Sequence, residues 1–417
     1  MNIPYFRPSI GREEKAAVDQ VLSSGWLTSG RAVKDFEHEF ASFLGAEHAV
    51  AVNSCTAALH LALESAGVGP GDVVLVPTLT FAATAAAVRY LGARPVLVDS
   101  EPTTLCIDPE DVERQAAKWS HLGPLKATLT VHYGGQMADI DSLHAVANHW
   151  GMTLIEDAAH ALPSYTRSRA SAPWRSVGTT STLTCFSFYA NKCITTGEGG
   201  MAVTNDPALA ERMRMMSLHG LSRSAWNRFS TRGSWQYEIE ELGFKYNMTD
   251  VAAAIGREQL KKADEFEQGR RAVAERYKER LAEFDEFLEL PTELPNRRSS
   301  WHIYPLRLRI EALRVDRSEF IAELADRGVS CSVHWMPLHL HPNYQAKFGC
   351  QPNDHPVANA EWQRLASLPI FPGMTLEEAD FVCDAVVAVV TNKKEPFLGK
   401  QPVATVQRER LPTLAGS

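Results

Sequence analysis

Position 192 is a lysine in the run Phe186-Ser187-Phe188-Tyr189-Ala190-Asn191-Lys192-Cys193-Ile194-Thr195-Thr196-Gly197-Glu198-Gly199-Gly200. The lead-in is aromatic and apolar, and the exit is rich in glycine. Most lysines sit on solvated helix faces, and this context is a poor one for that role. Thirty-five residues earlier the chain reads Ile155-Glu156-Asp157-Ala158-Ala159-His160, which places a carboxylate just past an apolar run. A partly buried lysine has a depressed pKa and traps carbonyl compounds. A carboxylate can keep a proton on a ring nitrogen. Amine, carboxylate and a nearby hydroxyl are the parts that hold pyridoxal 5′-phosphate (PLP), whose ring is an electron sink only while its nitrogen is protonated. Lys192 is thus the candidate catalytic residue and Asp157 the candidate pyridine partner. The plainer readings are a lysine in a tight turn and a strand-end carboxylate acting as a cap.

Other residues fit around this pair. Asn53-Ser54-Cys55-Thr56-Ala57-Ala58-Leu59 reads as a strand-to-helix turn. Small residues and hydroxyls at a helix N-terminus make an anion site, although a plain N-cap uses the same residues. Ser187 adds a hydroxyl five residues before Lys192. Phe81 follows a strand-like run and offers a face to a flat ring, or else fills the core. His160 lies three residues past Asp157, about one helical turn along if that segment is helical; a satisfied structural role is the alternative. His334, His339 and His341 cluster in Val333–His341 without an acidic or cysteine partner at ligand spacing, so no metal site is expected. His334 is assigned to a loop near the active site, and His339 and His341 to the surface. Neither a Gly-x-Gly-x-x-Gly after a strand nor a P-loop is present.

The elements that must position these residues follow from periodicity. Short β-branched runs at Val73–Val76, Pro95–Val98, Ala127–Val131 and Met152–Ile155 alternate with helical patterns. The helices span Thr56–Ser65 and Ala82–Leu91, a third opens at Asp108-Pro109-Glu110, and a fourth runs from after Asp139 to Gly151. Buried apolar strands alternating with helices predict an α/β fold with a mostly parallel sheet covered on both faces. Ligands in such sheets bind beyond the carboxyl ends of the strands, where Asp157 and Lys192 fall. A long charged helix is expected over about Thr249–Arg280. A loop near Pro291–Ser300, strands at Ile303–Ile310 and Val329–Val333, and helices at Ser318–Arg327 and Leu376–Val389 then read as a smaller α/β domain. The expected division is 1–250, 251–392 and a flexible tail at 393–417.

Of the 417 residues, 45% are apolar and 22% charged, and the formal net charge is −8. That length favours two domains, and the acidic balance argues against a nucleic-acid partner. The first residues lack a signal-peptide pattern, and no apolar run is long enough to cross a membrane. Seven cysteines without a Cys-x-x-Cys pair suit reduced thiols in the cytoplasm.

Several stretches together resemble the DegT/StrS family of PLP-dependent sugar aminotransferases over roughly residues 3–390. They are Ser24–Gly30, Asn53–Leu59, Pro77–Thr84, Ile155–His160, Phe186–Gly200, His219–Leu221 and Gly243–Asp250. The resemblance implies PLP fold type I: a large domain with a mostly parallel seven-stranded sheet plus a smaller C-terminal α/β domain. It is strongest for enzymes that make 4-amino sugars. It makes Lys192 the Schiff-base lysine and Asp157 the pyridinium partner, and puts His160 near the phenolic oxygen. It makes Phe81 the stacking aromatic and Cys55, Thr56 and Ser187 the phosphate cup. Asn247 would be given by the neighbouring subunit, which implies a homodimer with sites at its interface. His334 and Lys245 are candidate substrate contacts. The implied reaction carries the amino group of L-glutamate, through PLP and its pyridoxamine form (PMP), to a keto group, at C4, of a nucleotide-linked sugar. A 3-keto sugar or keto-inositol is the alternative substrate, and a non-catalytic PLP-binding regulator the alternative class. Two departures stand out. The link Ser164–Thr180, with Arg167, Arg169, Trp174 and Arg175, is longer than the family's usual one, and its arginines, with Lys245, are candidates for nucleotide phosphates. The segment after about 393 has no counterpart.

Overall fold

The computed structural model describes residues 1–221 and 238–391, so the segment assigned as a tail lies outside the described residues. Helices α1 (Arg12–Ser24) and α2 (Arg31–Leu44) open the chain. Strands and helices then alternate: β1 (His48–Val52), α3 (Cys55–Ser65), β2 (Val73–Pro77), α4 (Ala82–Tyr90), β3 (Arg94–Val98), α5 (Pro109–Trp119), β4 (Leu125–Val131), α6 (Ile140–Trp150) and β5 (Thr153–Asp157). A short hairpin, β6 (Tyr165–Thr166) and β7 (Arg175–Ser176), leads to β8 (Leu183–Ser187), β9 (Gly200–Thr204) and α7 (Pro207–Ser217).

Seven strands form one sheet in the order β1-β9-β8-β5-β4-β2-β3. The neighbours from β8 through β5, β4 and β2 to β3 pair parallel, whereas β9 runs antiparallel to both β8 and β1. Side chains alternate across the sheet, so Val73 and Leu75 of β2 enter one core while Val74 and Val76 enter the other. The first core takes the buried faces of α2, α5 and α6, and the second those of α3, α4 and α7. Both faces are therefore apolar, which is why these strands read as continuous hydrophobic runs. Local signals hold where they were read. Asp108 accepts from Glu110 N–H at 3.0 Å ahead of Pro109, and Gly151 ends α6 in the left-handed region at φ 65°.

The second half contains α8 (Asp250–Lys261), α9 (Ala263–Leu281), β10 (Leu288–Glu289), β11 (Arg297–Arg298), β12 (Tyr304–Leu308), α10 (Arg317–Asp326), α11 (Pro342–Phe348), α12 (Pro356–Arg364), β13 (Leu365–Leu368) and α13 (Leu376–Thr391). Strands β10, β12 and β13 make an antiparallel sheet, and a third core gathers Tyr277, Phe320, Val386 and the N-terminal Ile3 around it.

Two expectations need correction. The long helix after Thr249 is two helices that meet at Lys262, where φ is −101° and ψ 0°. The break follows from packing. Ala253 and Leu260 of α8 belong to the core shared with α2, whereas Val273, Tyr277 and Leu281 of α9 belong to the core around the small sheet. Lys262 itself binds Glu13 and Glu14 of α1 at 3.1 and 2.7 Å. The second correction is at Val329–Val333, which is not a strand. It makes only single bridges, Val329 with Ile3 and Ser332 with Ser367.

Candidate active site

A cavity of about 430 Å³ opens at the carboxyl ends of β2, β4, β5 and β8. Lys192 and Asp157 share it, together with Cys55, Thr56, Phe81, His160, Ser187 and His334. They come from five separate segments, those after β1, β2, β5 and β8 and the loop holding His334, so only the fold brings them together. Asp157 is the last residue of β5 and pairs in register with Val131 of β4 and Cys185 of β8. Its Oδ2 accepts from Thr84 Oγ1 at 2.9 Å and its Oδ1 from Ala159 N–H at 3.2 Å. The Cys55 thiol lies 3.9 Å from Oδ1. The residues after Asp157 form turns rather than a helix, so His160 is not one helical turn along. Burial raises the Asp157 pKa, against the opposing pull of Ala159, Thr84, Lys192 and His132. Burial likewise lowers the Lys192 amine, against the Asp157 charge. Burial thus works against both charges, and each group's charge favours the other's.

Helix α3 points its N-terminus at the same cavity. Ser54 is the N-cap and accepts from Ala57 N–H at 3.1 Å. The N–H groups of Cys55 and Thr56 have no intrahelical acceptor, as at any helix start. Strand β9 approaches this turn so closely that a Cβ on Gly200 would meet the Ser54 carbonyl oxygen at 2.5 Å and Cys55 N at 2.6 Å. Glycine at 200 is thus a packing requirement of the turn that starts α3. Phe81 precedes α4 and is 60% exposed, which removes the core reading and leaves its face free for a flat ring.

His160 is buried in the wall of the cavity. Gly134 N–H donates to its Nδ1 at 3.3 Å, which leaves the proton on Nε2. Trp335 stacks on it at 5.1 Å, and His302 packs against it at 4.4 Å. Burial, with the Lys192 charge, drops its pKa well below the ordinary range, so the ring is neutral. His334 bonds Ser367 Oγ through Nδ1 at 2.8 Å, and its carbonyl accepts from the Tyr133 hydroxyl.

Residues 245–247 run beside the turn before α3, where Asn53 N–H donates to the Tyr246 carbonyl at 2.7 Å, but Lys245 and Asn247 do not line the cavity. Lys245 Nζ bonds Asn247 Oδ1, and Asn247 Nδ2 donates to Ser29 Oγ at 2.7 Å. Asn247 lines a separate groove beside α2. The arginines of the long link do not line the cavity of their own chain. Arg167 donates to the carbonyls of Ala170 and Pro295 at 2.8 and 2.9 Å, and Arg175 pairs with Asp141 at 2.7 Å. Trp174 lies between Arg167 and Arg298, 4.3 and 4.4 Å from their guanidinium carbons. His339 is not on the surface: it is fully buried, with Nδ1 2.7 Å from Thr78 Oγ1. His341 is half-buried and bonds the Met336 carbonyl at 3.2 Å.

Sequence reasoning gave no role to Thr84, Gly134, Trp335 or His302. The only local signal for Thr84 is its place four residues after Thr80, whose hydroxyl it meets at 2.7 Å. The donor set fits PLP: an amine, a buried carboxylate, a helix start for phosphate and an exposed aromatic face. Asn191 Oδ1, a buried acceptor on the same wall, has no protein partner.

The sequence profile of the DegT/DnrJ/EryC1/StrS aminotransferase family matches residues 8–387. The chain is 44% identical over 389 residues to the spore coat polysaccharide biosynthesis protein SpsC of Bacillus subtilis, covering 93% of this chain and 97% of that one. Among solved structures it resembles the sugar aminotransferase Spr1654 of Streptococcus pneumoniae in its PMP form, with TM-score 0.85 and 29% identity, covering 94% of this chain and 98% of that one. The PLP form of that protein matches with TM-score 0.84. The Helicobacter pylori aminotransferase PseC, involved in pseudoaminic acid biosynthesis, matches with TM-score 0.84 and 26% identity over 94% of this chain and all of that one. With the seven-stranded sheet and the Lys192–Asp157 cavity, these matches show that the chain belongs to the DegT/DnrJ/EryC1/StrS aminotransferase family and is a PLP-dependent aminotransferase of the kind that acts on sugars.

Proposed function

We propose that this protein moves the amino group of L-glutamate, by way of PLP and PMP, to the C4 keto group of a nucleotide-linked sugar. The observation that carries the reading is the shared cavity of Lys192 and Asp157, which is open at Phe81 and bordered by the α3 N-terminus. When bound, PLP supplies the carbonyl that takes up an amino group and the ring that delocalises the electrons of a broken C–H bond. Lys192 Nζ is the attachment point, and its lowered pKa lets it accept and return a proton at the reacting carbon. Asp157 holds the proton on the pyridine nitrogen. Cys55, Thr56 and Ser187 receive the phosphate, Phe81 covers the ring, and His160 offers its Nε2–H to the phenolic oxygen.

Among the described residues lining the cavity, Lys192 is the one cation. A substrate with two further phosphates therefore calls for positive charge from outside this chain. Neither Asn247 nor Lys245 lines the cavity of its own chain, which supports a homodimer in which they serve the partner's site, with His334 on the sugar side. A polysaccharide biosynthesis relative at 44% identity supports an activated sugar as substrate. No described helix is long and apolar enough to cross a membrane.

The test is an absorbance scan of the PLP-loaded protein with glutamate, followed by nucleotide-linked 4-keto sugars, a free keto sugar and a keto-inositol. Amino-sugar formation only from a nucleotide-linked 4-keto sugar supports the reading. Turnover of the free sugar or keto-inositol, with none on any nucleotide 4-keto sugar, would replace it.

A further inference from the structure

The turn from β2 to α4 carries two hydroxyls that its own helix does not use. Thr80 and Thr84 are both buried. A threonine in a helix ordinarily bonds a carbonyl three or four residues back. Thr84, the third residue of α4, instead donates from Oγ1 to Asp157 Oδ2 at 2.9 Å. Thr80 Oγ1 lies 2.7 Å from Thr84 Oγ1. The turn is pinned at its start. Thr78 N–H donates to the Val98 carbonyl at 2.8 Å, and the Thr78 carbonyl accepts from Leu338 N–H at 2.8 Å.

Proton counting gives the direction of the chain. An ionised carboxylate only accepts, and a hydroxyl has one hydrogen. While Asp157 is charged, Thr84 gives its hydrogen to Oδ2, so the contact between the two threonines is made by the Thr80 hydrogen. The other carboxylate oxygen, Oδ1, accepts from Ala159 N–H at 3.2 Å. Asp157 is thus held at both oxygens and from two separate elements, α4 and the loop after β5. Pairing of β5 with its neighbours fixes the backbone of Asp157 but leaves its carboxylate free to turn about its last bond. The two hydrogen bonds oppose that rotation.

We propose that Thr84, backed by Thr80, is a positioning residue that holds the Asp157 carboxylate ionised and oriented for the pyridine nitrogen of PLP. Phe81 stands between the two threonines in sequence, so one turn supplies both a face for the ring and the hold on the partner of its nitrogen. The catalytic consequence rests on the reading of Asp157 as that partner; the hold on the carboxylate does not.

The first readout needs no cofactor. Carboxyl ¹³C signals of aspartate-labelled, cofactor-free protein follow Asp157 through pH, with Asp157→Asn assigning the resonance. A hydrogen bond to the charged form favours that form. Thr84→Val keeps the shape and loses the hydroxyl, so it should move the titration to higher pH, and Thr84→Ser should return it to the wild-type position. Thr80→Val leaves the bond to Asp157 in place and should give a smaller move in the same direction; it decides the matter if valine at 84 does not fold. No move in the valine variants that fold, or a serine variant that titrates like valine, overturns the hold.

The second readout uses the loaded enzyme with PLP labelled by ¹⁵N in its ring. Thr84→Val should shift the ring nitrogen towards its unprotonated signal and slow the half-reactions with glutamate and with the keto sugar alike, by about tenfold, the weight of one hydrogen bond to a charged group. A moved carboxyl titration with an unchanged ring-nitrogen signal overturns Asp157 as the partner of the nitrogen and leaves the hold standing. A loss confined to one half-reaction would make Thr84 a substrate contact and overturn the positioning role.

Discussion

Adjacent carboxylates on β5 meet opposite surroundings. Glu156 faces one side of the sheet, wholly buried, with Oε2 2.5 Å from His132 Nε2 and Oε1 accepting from Thr180 at 2.7 Å. Ala138 N–H donates to His132 Nδ1 at 3.2 Å, which directs the ring's other N–H at Glu156. Burial pushes the Glu156 carboxyl up, and the hydrogen bonds from His132, Ser181 and Thr180 outweigh it and hold the pKa below the usual range. Asp157 faces the other side and the cavity. Its oxygens are also bonded, but burial dominates and its pKa is raised. Every partner of Glu156 is built into the fold. The charge of Asp157 is fully offset only when a further cation arrives, as a protonated pyridine would. A buried carboxylate is thus assigned to structure or chemistry by what its surroundings leave incomplete.

The sharpest break in that contrast is Lys192→Ala. It should lower transamination by at least about four orders of magnitude, as loss of a covalent nucleophile does. Borohydride reduction and peptide mapping of wild type should place the pyridoxyl adduct on Lys192, and an adduct on another lysine would remove the assignment. Asp157→Asn comes next, with turnover lower by about 10²- to 10⁴-fold, because an amide cannot hold the ring proton. The sign of its stability effect is opposite. The raised pKa means the native state binds a proton more readily than the unfolded chain, so the carboxylate costs stability as pH rises from 3.8 through its folded value. The cofactor-free variant should therefore melt no lower than wild type at neutral pH; a clear drop would make Asp157 structural.

Glu156→Gln should behave in reverse. Breaking the buried pair costs about 3 kcal/mol in denaturant unfolding, while turnover per folded molecule stays near wild type. Because its folded pKa is lowered, the stability Glu156 contributes is present above 4.5 and lost as pH falls through the depressed value, so wild type and variant should converge in acid. Turnover falling in step with that of Asp157→Asn would erase the distinction between the two faces. The smallest effect is expected for Arg175→Ala. Its pair with Asp141 is exposed, at 35% and 46% for the two side chains, so stability should change by less than about 0.5 kcal/mol. KM for the nucleotide sugar should not move; a several-fold rise would return the long link to the phosphate site.

Much of this was legible along the chain. The Asp108–Pro109 start of α5, the Gly151 stop of α6 and the β-branched runs of β2 to β5 are written in neighbouring residues, and the structure has them within a residue or two. Other features depend on contacts between distant segments. The break at Lys262 depends on two cores competing for one helical stretch, and no glycine or proline stands beside it. The histidines of Val333–His341 look alike in sequence, yet His334 lines the cavity, His339 is sealed against Thr78 and His341 is half-buried.

By itself the sequence determined which chemistry the protein can hold: an amine in an aromatic-to-glycine turn, a carboxylate after an apolar strand and a small-residue helix start. It also determined the α/β alternation that sends such residues to one edge of a sheet. Only the tertiary structure decided which side of β5 each carboxylate faces, that β9 presses on α3 at Gly200, that Arg167 and Arg175 are taken up by Pro295 and Asp141, and that Tyr5 reaches His334 from the start of the chain. The physical reason is range. Propensity, capping and periodicity act over a few residues and are encoded there, whereas burial, ion pairing and proton position depend on groups brought together from hundreds of residues apart.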